Sequence, residues 1–181
     1  MKKFLAALAM LSATSAFAAN YVSVDVDRVN GVGHGAKDSV AQYVRAGTEL
    51  GGIQWGLQSR TARTETNNQL FNSMEITGAK SIGFLSPFVG VGRDNGLNGA
   101  NPYNYGLVGA TTGFKVGPGF TLLGAKTRVG TTEDGPRTKQ TVAFATYSIP
   151  VSKTVSLNIN ASKSYQTIKE NSVGLGLGFK F

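Results

Sequence analysis

From Asn171 to Phe181 the chain alternates strictly. Val173, Leu175, Leu177, Phe179 and Phe181 fall on one side of an extended segment, and Ser172, Gly174, Gly176, Gly178 and Lys180 on the other. Alternation with period two predicts a strand whose faces meet different environments. A strand of about eleven residues, rising about 3.3 Å per residue, is long enough to cross a bilayer when tilted. The pattern recurs upstream. Val22, Val24 and Val26 oppose Ser23, Asp25 and Asp27, and Ile53, Trp55 and Leu57 oppose Gln54 and Gln58. Read this way, the chain holds ten candidate strands: residues 20–29, 39–50, 53–60, 70–77, 81–93, 103–116, 120–131, 139–149, 155–167 and 171–181. If two of the weaker segments are not strands, the count is eight.

The connections alternate in length. Gly51-Gly52, Gly117-Pro118-Gly119 and Ser152-Lys153 mark tight turns, whereas residues 30–38, 62–69, 94–102 and 132–138 form longer polar loops; only the link near Lys169-Glu170 breaks the rule. An even strand count with alternating connections puts both termini on the tight-turn side. Turn length also fixes which residues share a face. A two-residue turn at Gly51-Gly52 sets Glu49 opposite Gln54, Arg45 opposite Gln58 and Tyr43 opposite Arg60. A turn at Ser152-Lys153 sets Tyr147 opposite Asn158, Ala145 opposite Asn160 and Ala143 opposite Ser162, which sends Val142 and Phe144 to the apolar side with Leu157 and Ile159. At Gly117–Gly119 a three-residue turn sends Lys126 and Arg128 outward, and one more residue brings both inside, so their facing stays open. Pro87 alone among the prolines lies inside a predicted strand, where its missing donor predicts a bulge.

Lys2 and Lys3 precede an apolar run from Phe4 to Leu11, and Ala16-Phe17-Ala18 has the form of a cleavage site. This is the layout of a secretory signal peptide. The domain plan is therefore residues 1–18 as signal peptide and 19–181 as a single domain. The apolar run is too short for a spanning helix. The chain has no cysteine, which excludes a disulfide scaffold, thiol chemistry and a lipid-anchored cysteine. The net charge of +8 is dispersed. In an exported chain it points to anionic lipid or lipopolysaccharide, with no nucleic-acid partner expected.

The last strand, ending on Phe179 and Phe181, resembles the C-terminal strand of bacterial outer-membrane β-barrels, which closes on an aromatic residue. The resemblance implies that Phe179 and Phe181 form the signal read by the barrel-assembly machinery. With its signal peptide and alternating strands, the chain is similar to the small outer-membrane barrel families that include the OmpA-like and OmpX-like proteins, and to porin-like barrels. The implied fold is all-β: a closed antiparallel transmembrane barrel of about ten strands, or eight as the alternative, in the outer membrane, with apolar faces toward lipid. A soluble periplasmic β-sandwich or lipocalin-like barrel is the competing arrangement and would turn the same faces the other way.

On the polar faces lie Asp25, Asp27, Arg45, Glu49, Arg60 and Glu75, joined by Arg93, Lys126 and Arg128 if those strands turn them inward. As a lumen lining they form either a paired plug or the wall of a narrow water-filled path. Small barrels are filled by side chains, while open channels come with sixteen strands or more, which favours the plug. Trp55, Phe84, Phe88, Tyr103, Tyr105, Phe114 and Phe120, with Phe179 and Phe181, read as aromatic girdles. His34, the single histidine, sits in Gly31-Val32-Gly33-His34-Gly35 and reads as a loop tip. The glycine repeats there and at Gly90-x-Gly92 open no helix and are not phosphate loops. No catalytic, cofactor-binding or metal residue is assigned, and no enzyme activity is expected. The function expected is that of a structural or surface-exposed membrane protein; a narrow porin-like channel and an adhesin-like binder using outer loops are the alternatives.

Overall fold

A computed structural model describes residues 20–31, 38–65, 70–97, 102–132, 138–166 and 169–181. Among these residues ten strands close into one antiparallel barrel, each paired with its sequence neighbours and the last with the first. They are β1 (Asn20–Gly31), β2 (Ser39–Leu50), β3 (Ile53–Thr64), β4 (Leu70–Ala79), β5 (Leu85–Leu97), β6 (Tyr103–Val116), β7 (Gly119–Thr132), β8 (Thr138–Pro150), β9 (Val155–Gln166) and β10 (Glu170–Lys180). Closure leaves no sheet edge, the condition for a sheet to sit in hydrocarbon. The expected signal peptide and His34 lie outside the described residues.

The outer surface carries a broad apolar band. Val89, Val108, Val173 and Leu175 are all more than half exposed and point away from the barrel axis. The buried polar side chains, Ser23, Asp25, Asp27, Glu75, Asn158, Asn160 and Ser172 among them, point inward. This excludes the inverted, soluble arrangement.

Gly51 and Gly52 both take positive φ (64° and 72°), as a two-residue hairpin turn requires. The β2–β3 register sets Glu49 against Gln54, Arg45 against Gln58 and Tyr43 against Arg60. Two other turns differ from the sequence reading. The β6–β7 turn has two central residues, Gly117 and Pro118, with Val116 paired to Gly119. It needs one residue fewer, not more, to bring Lys126 and Arg128 inside. The β8–β9 connection is longer than expected and runs from Val151 to Thr154, held by backbone N–H donation from Thr154 and Val155 to Ser152 Oγ (3.2 and 3.0 Å). Ser148 therefore faces Asn158 and Phe144 faces Ser162, so Val142 and Phe144 point into the lumen and not toward lipid. Pro87 causes no bulge. Pairing with β6 runs unbroken through it, and the register shift in β5 comes near its other end, where Phe71 pairs with Leu97 but Ser73 with Asp94.

Candidate functional site

The lumen is built by the inward residues of all ten strands. Its polar centre begins on β1. Asp25 is buried and ion-paired with Arg45 of β2. It also accepts hydrogen bonds from Ser23 (3.0 Å) and from Asn160 Nδ2 of β9 (2.8 Å). Asn160 reaches it across β10 because the inner side of β10 is bare: Asp25 pairs with Gly176, and Gly174 with Asn160. A Cβ at Gly176 would overlap the Asp25 carboxylate, and one at Gly174 the Asp27 carboxylate. The glycine repeat of the C-terminal strand is thus a slot that lets β9 and β1 touch.

From Arg45 the network continues around the wall. Arg45 Nε donates to Gln58 (2.9 Å), and Gln58 Nε2 to Glu75 (3.4 Å). Glu75 on β4 is then clamped by Lys126 and Arg128 of β7, with β5 and β6 between them, and accepts a hydrogen bond from the Tyr105 hydroxyl (3.0 Å). Arg128 donates to Gln140 (3.0 Å) and lies over the Tyr105 ring (5.3 Å). A second chord joins Arg60 of β3 to Glu170 of β10 at 3.5 Å, and Arg45 and Arg60 both lie over the Tyr43 ring (4.6 and 5.9 Å). Burying these charges singly would be costly; paired and hydrogen-bonded, they are tolerated, and removing one member exposes the cost of the other.

The other candidate residues fall as follows. Asp27 is buried on the lumen side, accepting from Ser172 (3.3 Å). Glu49 belongs to the lumen-facing set but is exposed beside the Gly51-Gly52 turn, outside the network. The register overturns the lumen assignment of Arg93. It pairs with Met74 and Asn104 on the outer face and is exposed. The cause is Gly92, which must face inward because the Tyr105 ring occupies the space a side chain would need. That fixes Arg93 outward. Phe179 points outward at the turn end and Phe181 is exposed beyond it.

The girdle set also splits. Trp55, Phe114 and Phe179 face outward near the turn end, whereas Phe88, Tyr103, Tyr105 and Phe120 face the lumen. Phe88, Leu122, Val142 and Phe144 give the inside an apolar part, and with Thr146, Ser148 and Asn158 they line a cavity of about 350 Å³. Sequence reasoning missed the network roles of Tyr105, Gln140, Asn160 and Glu170. For Asn160 the signal was present in the bare glycine side of the neighbouring strand. Among the described residues no cluster of three or more metal-ligating side chains occurs.

No protein-family profile matches the sequence, and no curated protein matches it. Solved structures do. The translocator domain of the autotransporter NalP from Neisseria meningitidis is similar with a TM-score of 0.56 and 11% identity, over 99% of this chain and 94% of that one. Neisserial surface protein A is similar with a TM-score of 0.50 and 11% identity, over 90% of this chain and 97% of that one. The likeness is one of fold, and that fold is the bacterial outer-membrane β-barrel.

Proposed function

We propose that the protein is an integral outer-membrane barrel without enzymatic turnover, a structural or surface-exposed component whose lumen is held shut by buried ion pairs. The observation that carries this reading is the clamp on Glu75, which ties β4 to β7 through the lumen. Ten strands stand close to the size at which side chains fill a barrel and well below the sixteen of open porins. The outward placement of Phe179 and the exposure of Phe181 support their reading by the barrel-assembly machinery. Conductance across planar bilayers tests the proposal. The purified protein should carry no steady current, and a steady resting current would reject the sealed barrel.

A second reading, a narrow channel for small solutes, is favoured by the cavity and by three buried lumen atoms. Asp27 Oδ1, Arg60 Nε and Arg128 Nε have no hydrogen-bond partner among the described residues. Buried polar atoms without protein partners are generally met by water. At about 30 Å³ per molecule the cavity has room for on the order of ten. On this reading Lys126 and Arg128, both inward, would favour anions, and a resting current with reversal potentials showing anion preference would support it.

A further inference from the structure

Charge is sorted across the barrel wall. Among the described strand residues every aspartate and glutamate belongs to the lumen-facing set: Asp25, Asp27, Glu49, Glu75, Asp94 and Glu170. The outward positions carry only bases, Arg28, Arg63, Arg93, Lys139 and Lys163. All five lie in the strand halves next to the long connections. They form a positive collar at the membrane boundary on the loop side. Arg28 has an acidic neighbour there, Glu65, at 4.0 Å.

Arg93 differs from the rest of the collar in what lies beside it. Val91 of β5, Gly106 of β6 and Val129 of β7 are paired side by side on the outer face. Gly106 has no atom within 4 Å of where its Cβ would be, so the wall is notched between two valines. Met74 and Ile76 of β4 extend this shallow groove. Arg93 and Asn104 close its loop end. Among the described residues no carboxylate pairs with Arg93. An arginine at a bilayer boundary extends along apolar surface and places its guanidinium among headgroups. Guanidinium and phosphate match in geometry as well as charge.

We propose that this groove is a specific seat for one phosphorylated lipid of the outer leaflet. One acyl chain lies in the Gly106 notch between Val91 and Val129, and a headgroup phosphate is held by Arg93 with Asn104. The proposal rests on the membrane-barrel reading but not on whether the lumen conducts. Basic pockets of this kind on membrane proteins bind anionic headgroups, each base contributing about 1 kcal/mol.

Native mass spectrometry of the full chain in detergent, titrated with diphosphoryl lipid A, tests it. One lipid should bind tightly. Arg93→Gln and Gly106→Leu should each weaken that binding roughly fivefold or more, the factor equivalent to about 1 kcal/mol. Lys163→Gln, on the far side of the collar, should leave it unchanged. Dephosphorylated lipid A should bind as weakly to the native protein as diphosphoryl lipid A does to Arg93→Gln. Inorganic phosphate should not compete. Variants are first shown to be folded by heat-modifiable migration in detergent gels, with Gly106→Ala used if leucine prevents folding. Unchanged binding in either groove variant overturns the proposal, as does an equal loss in Lys163→Gln. Equal binding of phosphatidylglycerol in the native protein and in Gly106→Leu reduces the site to surface charge and overturns it too. A chain that does not behave as a membrane barrel would instead fail to enter micelles at all.

Discussion

Glu75 and Lys126 are 51 residues apart in sequence and on strands separated by two others, yet their side chains meet inside the barrel. The contact is possible because the shared lumen face of β4 and β7 turns both inward. Arg128 joins them, so one carboxylate balances two cations.

Replacing Glu75 by alanine leaves Lys126 and Arg128 buried with no counter-charge. Breaking a buried pair from one side costs about 3–5 kcal/mol. The variant should therefore lose about that much unfolding free energy, with a lower denaturant midpoint read from the fluorescence of Trp55, the single tryptophan. A triple replacement of Glu75, Lys126 and Arg128 by methionine should recover most of the loss, because no charge is then stranded.

In the same clamp, Glu75→Gln keeps the shape and removes the charge. Bilayers holding this variant should show intermittent current steps where the native protein shows none. Silence in both would mean that the apolar wall of Phe88, Leu122 and Phe144 seals the lumen without help from the ions.

Gly174 and Gly176 are expected to resist substitution. At Gly174 a Cβ would meet the Val26 carbonyl oxygen at 2.5 Å as well as the Asp27 carboxylate. Overpacking of this kind costs about 1–3 kcal/mol. Gly174→Ala should lower the thermal midpoint of the refolded barrel. Gly106→Ala, with open space around it, should not.

Charge on the outer face should be penalised by depth. Leu175 lies mid-strand among apolar neighbours, and Leu175→Arg should cost about 2–4 kcal/mol in lipid vesicles. Val129→Arg, in the strand half next to the long connection, should cost about 0–1 kcal/mol. Equal penalties would place the bilayer elsewhere on the barrel.

Strands whose two sides differ sharply in polarity were legible in the sequence. In β10, and in β1 from Val22 to Asp27, each side has one chemistry, so period two assigns the faces directly. In β6 and β7 both sides are mixed. The inner side of β7 holds Phe120 and Leu122 as well as Lys126 and Arg128, and hydrophobicity alone cannot rank the sides. Charge can. A lysine at mid-depth on the lipid face costs about 2–4 kcal/mol, and Lys126 lies at mid-strand. That exceeds the roughly 1.5–3 kcal/mol from fully burying one apolar side chain, and Arg128 shares its face by period two. That comparison turns Lys126 and Arg128 inward whatever the turn length. For β8 the error came from the turn, since one register step moves every side chain to the other face. Arg93 was undecidable from its own strand, where glycine occupies the alternate positions. Its facing is set by Tyr105, a residue on the next strand.

The most direct test of the account is where single side chains meet water, hydrocarbon or protein. The chain has no cysteine, so nitroxide labels can be placed one at a time in the vesicle-reconstituted protein. Labels at Ile159 and Leu175 should collide freely with oxygen and little with a water-soluble nickel complex. A label at Phe144 should be immobilised and shielded from both. An aqueous signal at Leu175, or a lipid signal at Phe144, would contradict the assignment of inside and outside on which the sealed barrel depends.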